Sequence, residues 1–262
     1  MNNNLSILLT QFCEQFKLES QGSFLSTENS KIITKELPNL LFNKLNLDDN
    51  YKVYGSVGSG NWSEIPWIGI LDKSITISTT KGYYLGLLLD KNLQNLYLVL
   101  AVGWTQFEEE YGIQEGKVKI RAICDHYARL LRNKPTGFEE GLIDLGAENN
   151  LGKGYERGSV LSKKYSISEL IDEELFEDIT TLLDSYQELK EIVGNSILNL
   201  EIDPVANDQN TKEFKKDIAK ASFNENTEEA IAQLIAQANT APPEIRTQLK
   251  KEIVRNKNSQ IL

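Results

Sequence analysis

The sequence predicts an α+β fold: a curved, mostly antiparallel β-sheet flanked by amphipathic helices and followed by a C-terminal helical appendage. Short segments rich in Val, Ile, Leu and Tyr follow one another closely between residues 51 and 102. Such segments are typical of strands joined by tight turns. Before and after them, apolar residues recur at helical spacing, which indicates helices that cover the sheet.

The first helix is indicated by helical spacing of the apolar residues Leu5, Leu8, Leu9, Phe12 and Phe16. Residues 37–50 are typical of an irregular, partly helical connection. Strands are then expected in close succession, with mostly antiparallel pairing, at residues 51–57, 65–71, 74–80, 83–89 and 96–102.

Helices and a loop follow the predicted strands. We expect a basic amphipathic helix over residues 117–132, with Arg121 among its exposed residues, then a short strand at 142–145. A glycine-rich loop over residues 146–158 comes next. A second long helix is predicted to begin at a capping box, Ser166-Ile-Ser-Glu169. It closes the folded domain.

The chain divides into a folded domain over residues 1–200 and a helical linker or docking arm over residues 201–262. The second part carries few large apolar residues, so it is not expected to form a core by itself. Its end at Leu262 suits either a fragment that precedes a missing effector domain or a protein that recruits its effector through this arm.

Composition favours a cytoplasmic protein. No run approaches the roughly 18 apolar residues of a membrane span. The first ten residues lack the basic segment of a signal peptide. Cys13 and Cys124 lie far apart and form neither a metal motif nor a disulfide motif. We therefore expect both thiols to be reduced.

The charge distribution leaves nucleic acid open as a partner. A net charge of −10 argues on its face against it. However, residues 117–134 carry six Lys or Arg against one Asp, and residues 153–164 carry four against one Glu. The acidic excess is concentrated at residues 168–191. What matters for binding phosphate is a local basic face rather than the net charge.

Motifs for catalysis are weak. The glycines between Gly55 and Gly60 lack the order of a phosphate loop. His126 is the single histidine, so a zinc site or a Ser-His-Asp triad lacks recognisable partners. A metal-dependent nuclease would have to rely on the Glu-x-Lys tripeptides at Glu188 and Glu213, which arise easily by chance. We therefore expect no catalytic residues, no metal and no cofactor.

The strongest functional signal is Gly58-Ser-Gly-Asn-Trp-Ser-Glu-Ile-Pro-Trp67, followed by Lys81-Gly-Tyr-Tyr84 and an apolar hairpin. Glycines let a backbone approach a ligand closely, and aromatic side chains supply flat faces. Tyr155 lies between glycines and basic residues, which suits a nucleobase better than a core. Trp104 is expected in the core. Together these features predict a protein that holds a planar ring.

These residues resemble the McrB-type N-terminal DNA-binding domain, the specificity module of modification-dependent restriction systems. The Gly-x-Gly-Asn string ending at Trp67, the Gly-Tyr-Tyr84 motif and the Gly-x-Gly-Tyr155-Glu-x-Gly motif carry the resemblance. It covers roughly residues 5–195. The resemblance implies a reader of modified cytosine in duplex DNA, most simply 5-methylcytosine. It also implies that the modified base is flipped out of the duplex into a pocket formed by Trp67, Tyr84, Leu88 and Tyr155.

The resemblance also places the glycine turn against DNA. A bulky aromatic wedge can fill this turn in the family, whereas Ser59 is small, which leaves Trp62 or a different way of opening the duplex. The full set of expected DNA contacts is Ser59, Gly60, Asn61, Trp62, Lys81, Lys153, Arg157, Lys163 and Lys164. Because related readers are joined to a nuclease or an NTPase, such a domain is expected in the same chain or in a partner.

Two other functions stay open. The first is a metal-dependent nuclease that acts on modified DNA through Glu188 or Glu213. The second is a protein–protein adaptor of a phage-defence complex, with the acidic helix near residues 168–191 as its contact face. Cutting of methylated DNA would identify the nuclease, and capture of a partner without any DNA binding would identify the adaptor.

Overall fold

The computed structural model describes residues 4–24 and 27–194, and the α+β prediction is confirmed. In this part of the chain six strands form one antiparallel sheet in the spatial order β1-β2-β3-β4-β6-β5. The strands are β1 (Tyr51–Gly58), β2 (Trp62–Asp72), β3 (Tyr83–Leu89), β4 (Asn95–Val102), β5 (Glu139–Glu140) and β6 (Ser159–Ser166). The appendage predicted at residues 201–262 lies outside the described residues.

Helices cover the sheet on both faces. They are α1 (Leu5–Glu19), α2 (Glu28–Lys31), α3 (Leu37–Lys44), α4 (Thr105–Leu130), α5 (Asn150–Arg157) and α6 (Asp172–Val193). A π-helical stretch at Ile32–Glu36 joins α2 to α3, and a 3-10 turn at Ile167–Glu169 precedes α6. Helix α4 is kinked at Gly112, where φ is 71°.

The main core lies between one face of the sheet and helices α1, α3 and α6. Leu5 of α1 and Leu37 of α3 line a small apolar space together with Leu87 of β3. The ring of Tyr186 on α6 packs edge-on against Tyr83 of β3, with centroids 5.6 Å apart. The Tyr186 hydroxyl also donates to the Tyr83 carbonyl (3.1 Å). Because side chains alternate along a strand, the other side chains of these strands lie on the opposite face of the sheet.

Two predicted strands are wrong. Residues 74–80 form a loop, because Thr76 Oγ1 donates to the Ser78 carbonyl (2.8 Å) and accepts from the Ser78 amide (3.2 Å). Hydroxyl bonds of this kind compete with a strand ladder. Residues 142–145 are not a strand either, and the short pairing with β6 occurs earlier, at Glu139–Glu140.

Three further expectations are corrected around residues 121–172. The predicted glycine-rich loop contains helix α5, whose first turn is capped by Asn149 Oδ1 accepting from the Gly152 amide (2.7 Å). The predicted capping box begins at the last residue of strand β6, and the long helix starts later, at Asp172. Arg121 is only 8% exposed, since its guanidinium donates to the carbonyls of Arg157 and Ser159.

Candidate nucleic-acid interface

The face of the sheet opposite α1 and α6 carries aromatic and apolar side chains from four strands. We call this surface the aromatic face, and its residues are Tyr54, Trp67, Tyr84, Leu88 and Tyr97. Trp67 pairs in register with Leu88, and Leu88 with Tyr97, so these three form one row across the sheet. Tyr155 of α5 packs against the same cluster. The structure therefore brings together all four residues of the predicted base pocket.

The aromatic face has a buried floor and a partly exposed rim. Tyr84 and Leu88 are 4% and 5% exposed and form the floor. Trp67, Tyr54 and Tyr155 are half-buried, so part of each ring is accessible. The rings of Tyr54 and Trp67 meet edge to face, with centroids 5.2 Å apart and planes at 80°, a favoured geometry for aromatic pairs. A planar ligand would therefore enter at the rim.

Burial controls the ionisation of the tyrosines on this surface. Burial raises the pKa of Tyr155 to about 12, although the side chain of Trp67 partly opposes this effect. Burial also raises the pKa of Tyr84 well above its ordinary value. Both hydroxyls are therefore neutral near pH 7, so they can donate as well as accept hydrogen bonds. Neutral tyrosines suit the edge of an uncharged base.

Two paired glycines, which we call the glycine strip, lie in the middle of the aromatic face, and neighbouring side chains fill the space above them. Gly69 of β2 pairs in register with Gly86 of β3, between the row of Trp67 and the level of Tyr84. A Cβ added at Gly69 would lie 3.0 Å from Leu71 Cδ1 and from Thr79 Cγ2. This glycine pair was not predicted from the sequence. The signal was available, because both glycines share the strand parity of the predicted aromatic residues.

Carboxylates fix the segment that covers the aromatic face. Glu64 of β2 accepts from the amides of Glu148 and Asn149, both at 3.0 Å, just before α5. Burial of Glu64 opposes its ionisation, but these hydrogen bonds and the ion pair with Lys91 outweigh burial and hold the pKa of Glu64 below its ordinary value. Glu156, within α5, accepts from two further amides of the preceding segment. The segment that precedes α5 is thus hydrogen-bonded both to strand β2 and to α5.

Helix α5 packs closely against Trp104, which lies between β4 and α4, because the helix contains glycine. A Cβ added at Gly154 would lie 2.1 Å from Cγ of Trp104, well inside a normal carbon–carbon contact of about 3.5–4.0 Å. Trp104 is 1% exposed, which confirms its expected place in the core. Glycine at position 154 therefore sets the distance between Trp104 and α5, the helix that carries Tyr155.

The predicted DNA-contacting turn lies at the tip of the β1–β2 hairpin. Ser59, Gly60 and Asn61 are exposed there, so they are accessible to a ligand. Trp62 is different, because its ring packs edge-on against Phe16 (5.3 Å) and Phe24 (4.8 Å). Its Nε1 also donates to a backbone carbonyl, that of Gly22 (3.1 Å). Trp62 therefore anchors the segment that follows α1, which makes it a poor wedge.

The residues predicted to contact phosphate differ in whether they form ion pairs within the protein. Lys163 pairs with Asp178 (2.6 Å) and Glu174 (3.0 Å), and Lys153 pairs with Glu156 (2.8 Å). The carboxylates therefore already engage two of the five predicted basic contacts. Arg157 is half-buried, and its Nε is buried without a hydrogen-bond partner.

Lys81 and Lys164 are exposed. Lys164 pairs in register with Tyr97 across β4 and β6, so it belongs to the row that contains Trp67. Its ammonium lies 5.6 Å from the centroid of the Tyr97 ring. A cation at the border of an aromatic surface is well suited to a phosphate whose base stacks nearby. Of the predicted lysines, Lys164 therefore has the clearest geometric link to the aromatic face.

The residues considered for catalysis have other contacts. The carboxylate of Glu188 accepts from the amides of Arg132 (3.0 Å) and Asn133 (3.4 Å), just beyond α4. Glu213 lies outside the described residues. Within residues 4–24 and 27–194, no three His, Cys, Asp or Glu side chains gather as metal ligands. His126 is half-buried, and burial lowers its pKa.

The two cysteines are free and buried. Burial raises the pKa of Cys13 and that of Cys124 to about 12 each, so both are poor nucleophiles near pH 7. No helix in the described part of the chain is long and apolar enough to cross a membrane.

The fold and the site define an α+β binding domain, in which a sheet presents a half-buried aromatic cluster beside exposed lysines. The family model of the MrcB-like N-terminal domain matches residues 11–191. The chain belongs to this family, and the resemblance seen in the sequence is confirmed. It is accordingly a DNA-binding module of restriction systems. A search of curated proteins gave no match to the chain.

Proposed function

We propose that this domain binds duplex DNA that contains a modified cytosine, most simply 5-methylcytosine, and flips that base onto the aromatic face. The observation that carries the proposal is the gathering of Trp67, Tyr84, Leu88 and Tyr155 around one surface.

The energies are consistent with such a reader. Extrusion of a paired base costs a few kcal/mol, and an aromatic platform returns about 1–3 kcal/mol per base. A buried methyl group adds up to about 0.8 kcal/mol, less than a tenfold gain in affinity. The methyl group alone is therefore a weak discriminator. Stronger preference would require that an unmodified base leave an unfilled space on the apolar floor formed by Leu88.

We also propose that this chain does not cut DNA itself and that a nuclease or NTPase acts with it, in the same polypeptide or in a partner. The hydrogen bonds of Glu188 support this view, since a carboxylate that accepts from two amides is poorly placed to ligate a metal. Incubation with methylated plasmid and Mg²⁺ or Mn²⁺ tests this part of the proposal. Cleavage that disappears in Glu188→Ala or Glu213→Ala protein would favour the nuclease instead.

The central test is a fluorescence-anisotropy titration at fixed salt. The probes are otherwise identical duplexes with one 5-methylated, one 5-hydroxymethylated or one unmodified cytosine. We expect one modified duplex to bind most tightly. In that duplex, 2-aminopurine beside the modified cytosine should brighten on binding, because extrusion unstacks its neighbour. Equal binding to all three duplexes would contradict the proposal, and the absence of binding would favour the adaptor.

Neighbouring lysines provide a sharp test of the DNA-facing side. Lys164→Ala should reduce the slope of log K against log salt concentration by about 0.9, the value for one lost phosphate contact. Lys163→Ala is the matched control, because Lys163 is paired with Asp178 and Glu174. It should lower the free energy of unfolding and leave the salt slope unchanged. Salt-dependent titrations and urea unfolding of both variants measure this difference, and the reverse pattern would refute the assignment.

A further inference from the structure

A flipped base leaves a gap in the duplex. Proteins that bend or open DNA often insert an apolar side chain between base pairs, which compensates for part of the lost stacking. Two residues near the expected DNA surface are unsuited to this role. Ser59 is small, and Trp62 is held against Phe16 and Phe24. The gap therefore requires a different side chain.

The loop between β2 and β3 carries an exposed isoleucine. We call this segment, residues 73–82, the rim loop. Ile77 is 61% exposed on it, whereas Ile75, two residues earlier, is buried. Single apolar side chains are often exposed on protein surfaces, so what distinguishes Ile77 is its position.

The rim loop lies against the aromatic face. The Tyr54 hydroxyl donates to Thr79 Oγ1 (3.2 Å) and accepts from the Thr79 amide (3.0 Å). Thr79 Cγ2 also lies beside the glycine strip, 3.0 Å from where a Cβ of Gly69 would be. Because two residues span at most about 7 Å, Ile77 is within about two base-pair steps of this rim.

The backbone at Ile77 is held in place. Lys52 Nζ donates to the Ile77 carbonyl (2.9 Å). On the preceding side, the Thr76 hydroxyl bonds both the amide and the carbonyl of Ser78. A side chain on a fixed backbone loses less conformational entropy when it inserts between bases than one on a mobile loop. The rim loop therefore presents Ile77 in a preorganised position.

The composition of the rim loop also suits DNA. Its ten residues include five Ser or Thr, two Lys and no Asp or Glu, in a chain with 38 acidic residues. Hydroxyl and ammonium groups are common donors to phosphate oxygens. Ile171 offers a contrast, because it is similarly exposed, at 57%, but precedes Asp172, Glu173 and Glu174. A duplex would be repelled at Ile171 and accepted at Ile77.

We propose that Ile77 inserts into the duplex and fills the space vacated by the flipped base. This inference rests on the proposed function, since without base flipping there is no gap to fill. The aromatic face would hold the extruded base, while the rim loop, fixed to that face through Tyr54 and Thr79, would close the stack behind it.

The test compares Ile77→Ala with Ile171→Ala, two truncations of exposed isoleucines. We expect Ile77→Ala to bind the modified duplex about tenfold more weakly, or about 1.4 kcal/mol. Binding to a single-stranded oligonucleotide with the same modified cytosine should be unchanged, because a single strand has no gap. Ile77→Met should retain most of the duplex affinity, and Ile171→Ala should match the wild type on both probes. Anisotropy titrations provide these values, with urea unfolding as a check that each variant is folded.

Failure of this inference is separable from failure of the proposed function. If the wild type prefers the modified duplex but Ile77→Ala binds it equally well, the inserted residue is not Ile77 and the reader function stands. Equal losses on duplex and single strand would also overturn the insertion, since Ile77 would then serve the pocket or the fold. If the wild type shows no preference for modified DNA, both proposals fall.

Discussion

Trp67→Ala is expected to weaken binding to duplex DNA with a modified cytosine by about 10- to 100-fold, the equivalent of about 1–3 kcal/mol of base stacking. Binding to the unmodified duplex should change much less, because phosphate contacts contribute most of the affinity when no base is held. The preference for modified DNA should therefore disappear. Titrations of the variant with matched duplexes measure both effects.

Trp62→Ala is the matched control for this result. Both tryptophans are half-buried and lie on β2, so both substitutions remove a large ring from the same strand. The rings differ in their contacts, since Trp62 packs against Phe16 and Phe24, whereas Trp67 packs against Tyr54 on the aromatic face. Trp62→Ala should lower the free energy of unfolding while preserving the preference for modified DNA. Loss of preference in both variants, or in neither, would contradict the assignment of Trp67.

Much of the sheet and of the candidate pocket was predictable from the sequence. The strand at residues 83–89 has the predicted bounds, because all seven of its residues are buried and the segment contains no charged residue. Trp67 and Tyr84 were found through neighbouring glycines and the family motif. Tyr155 was also found, although its local structure was predicted as a loop and is the helix α5. The sequence therefore indicated that Tyr155 belongs to the cluster but not which backbone conformation it has.

Features that depend on partners distant in sequence were not predictable. Lys163 and Lys164 are adjacent and chemically identical, and they differ only in their contacts with distant parts of the chain. Lys163 pairs with Asp178 of α6, whereas Lys164 lies near the Tyr97 ring. Arg121 was expected to be exposed for the same reason, since nothing near it in sequence signals the carbonyls that bind its guanidinium. Periodicity gives the face of a helix and does not identify what packs against it.

Gly154→Ala is expected to lower both the free energy of unfolding and the affinity for modified DNA. In an exposed helix, this change would stabilise by about 1 kcal/mol, the difference in helix propensity. Here the added carbon would lie 2.1 Å from Cγ of Trp104. Overpacking in a core costs about 1–3 kcal/mol, so the clash outweighs the helical gain. Helix α5 must shift outward, and Tyr155 must leave the aromatic face with it.

Two further substitutions distinguish the clash with Trp104 from a general loss of stability. Leu151→Ala alters an exposed side chain in the same helix, so it should change neither unfolding nor DNA preference. Trp104→Leu in the Gly154→Ala protein removes the ring that opposes the new carbon. The two changes should therefore be strongly coupled in a double-mutant cycle, with the double variant more stable than the sum of the single effects implies. Additive losses would show that the position of α5 is not set by the contact between Gly154 and Trp104.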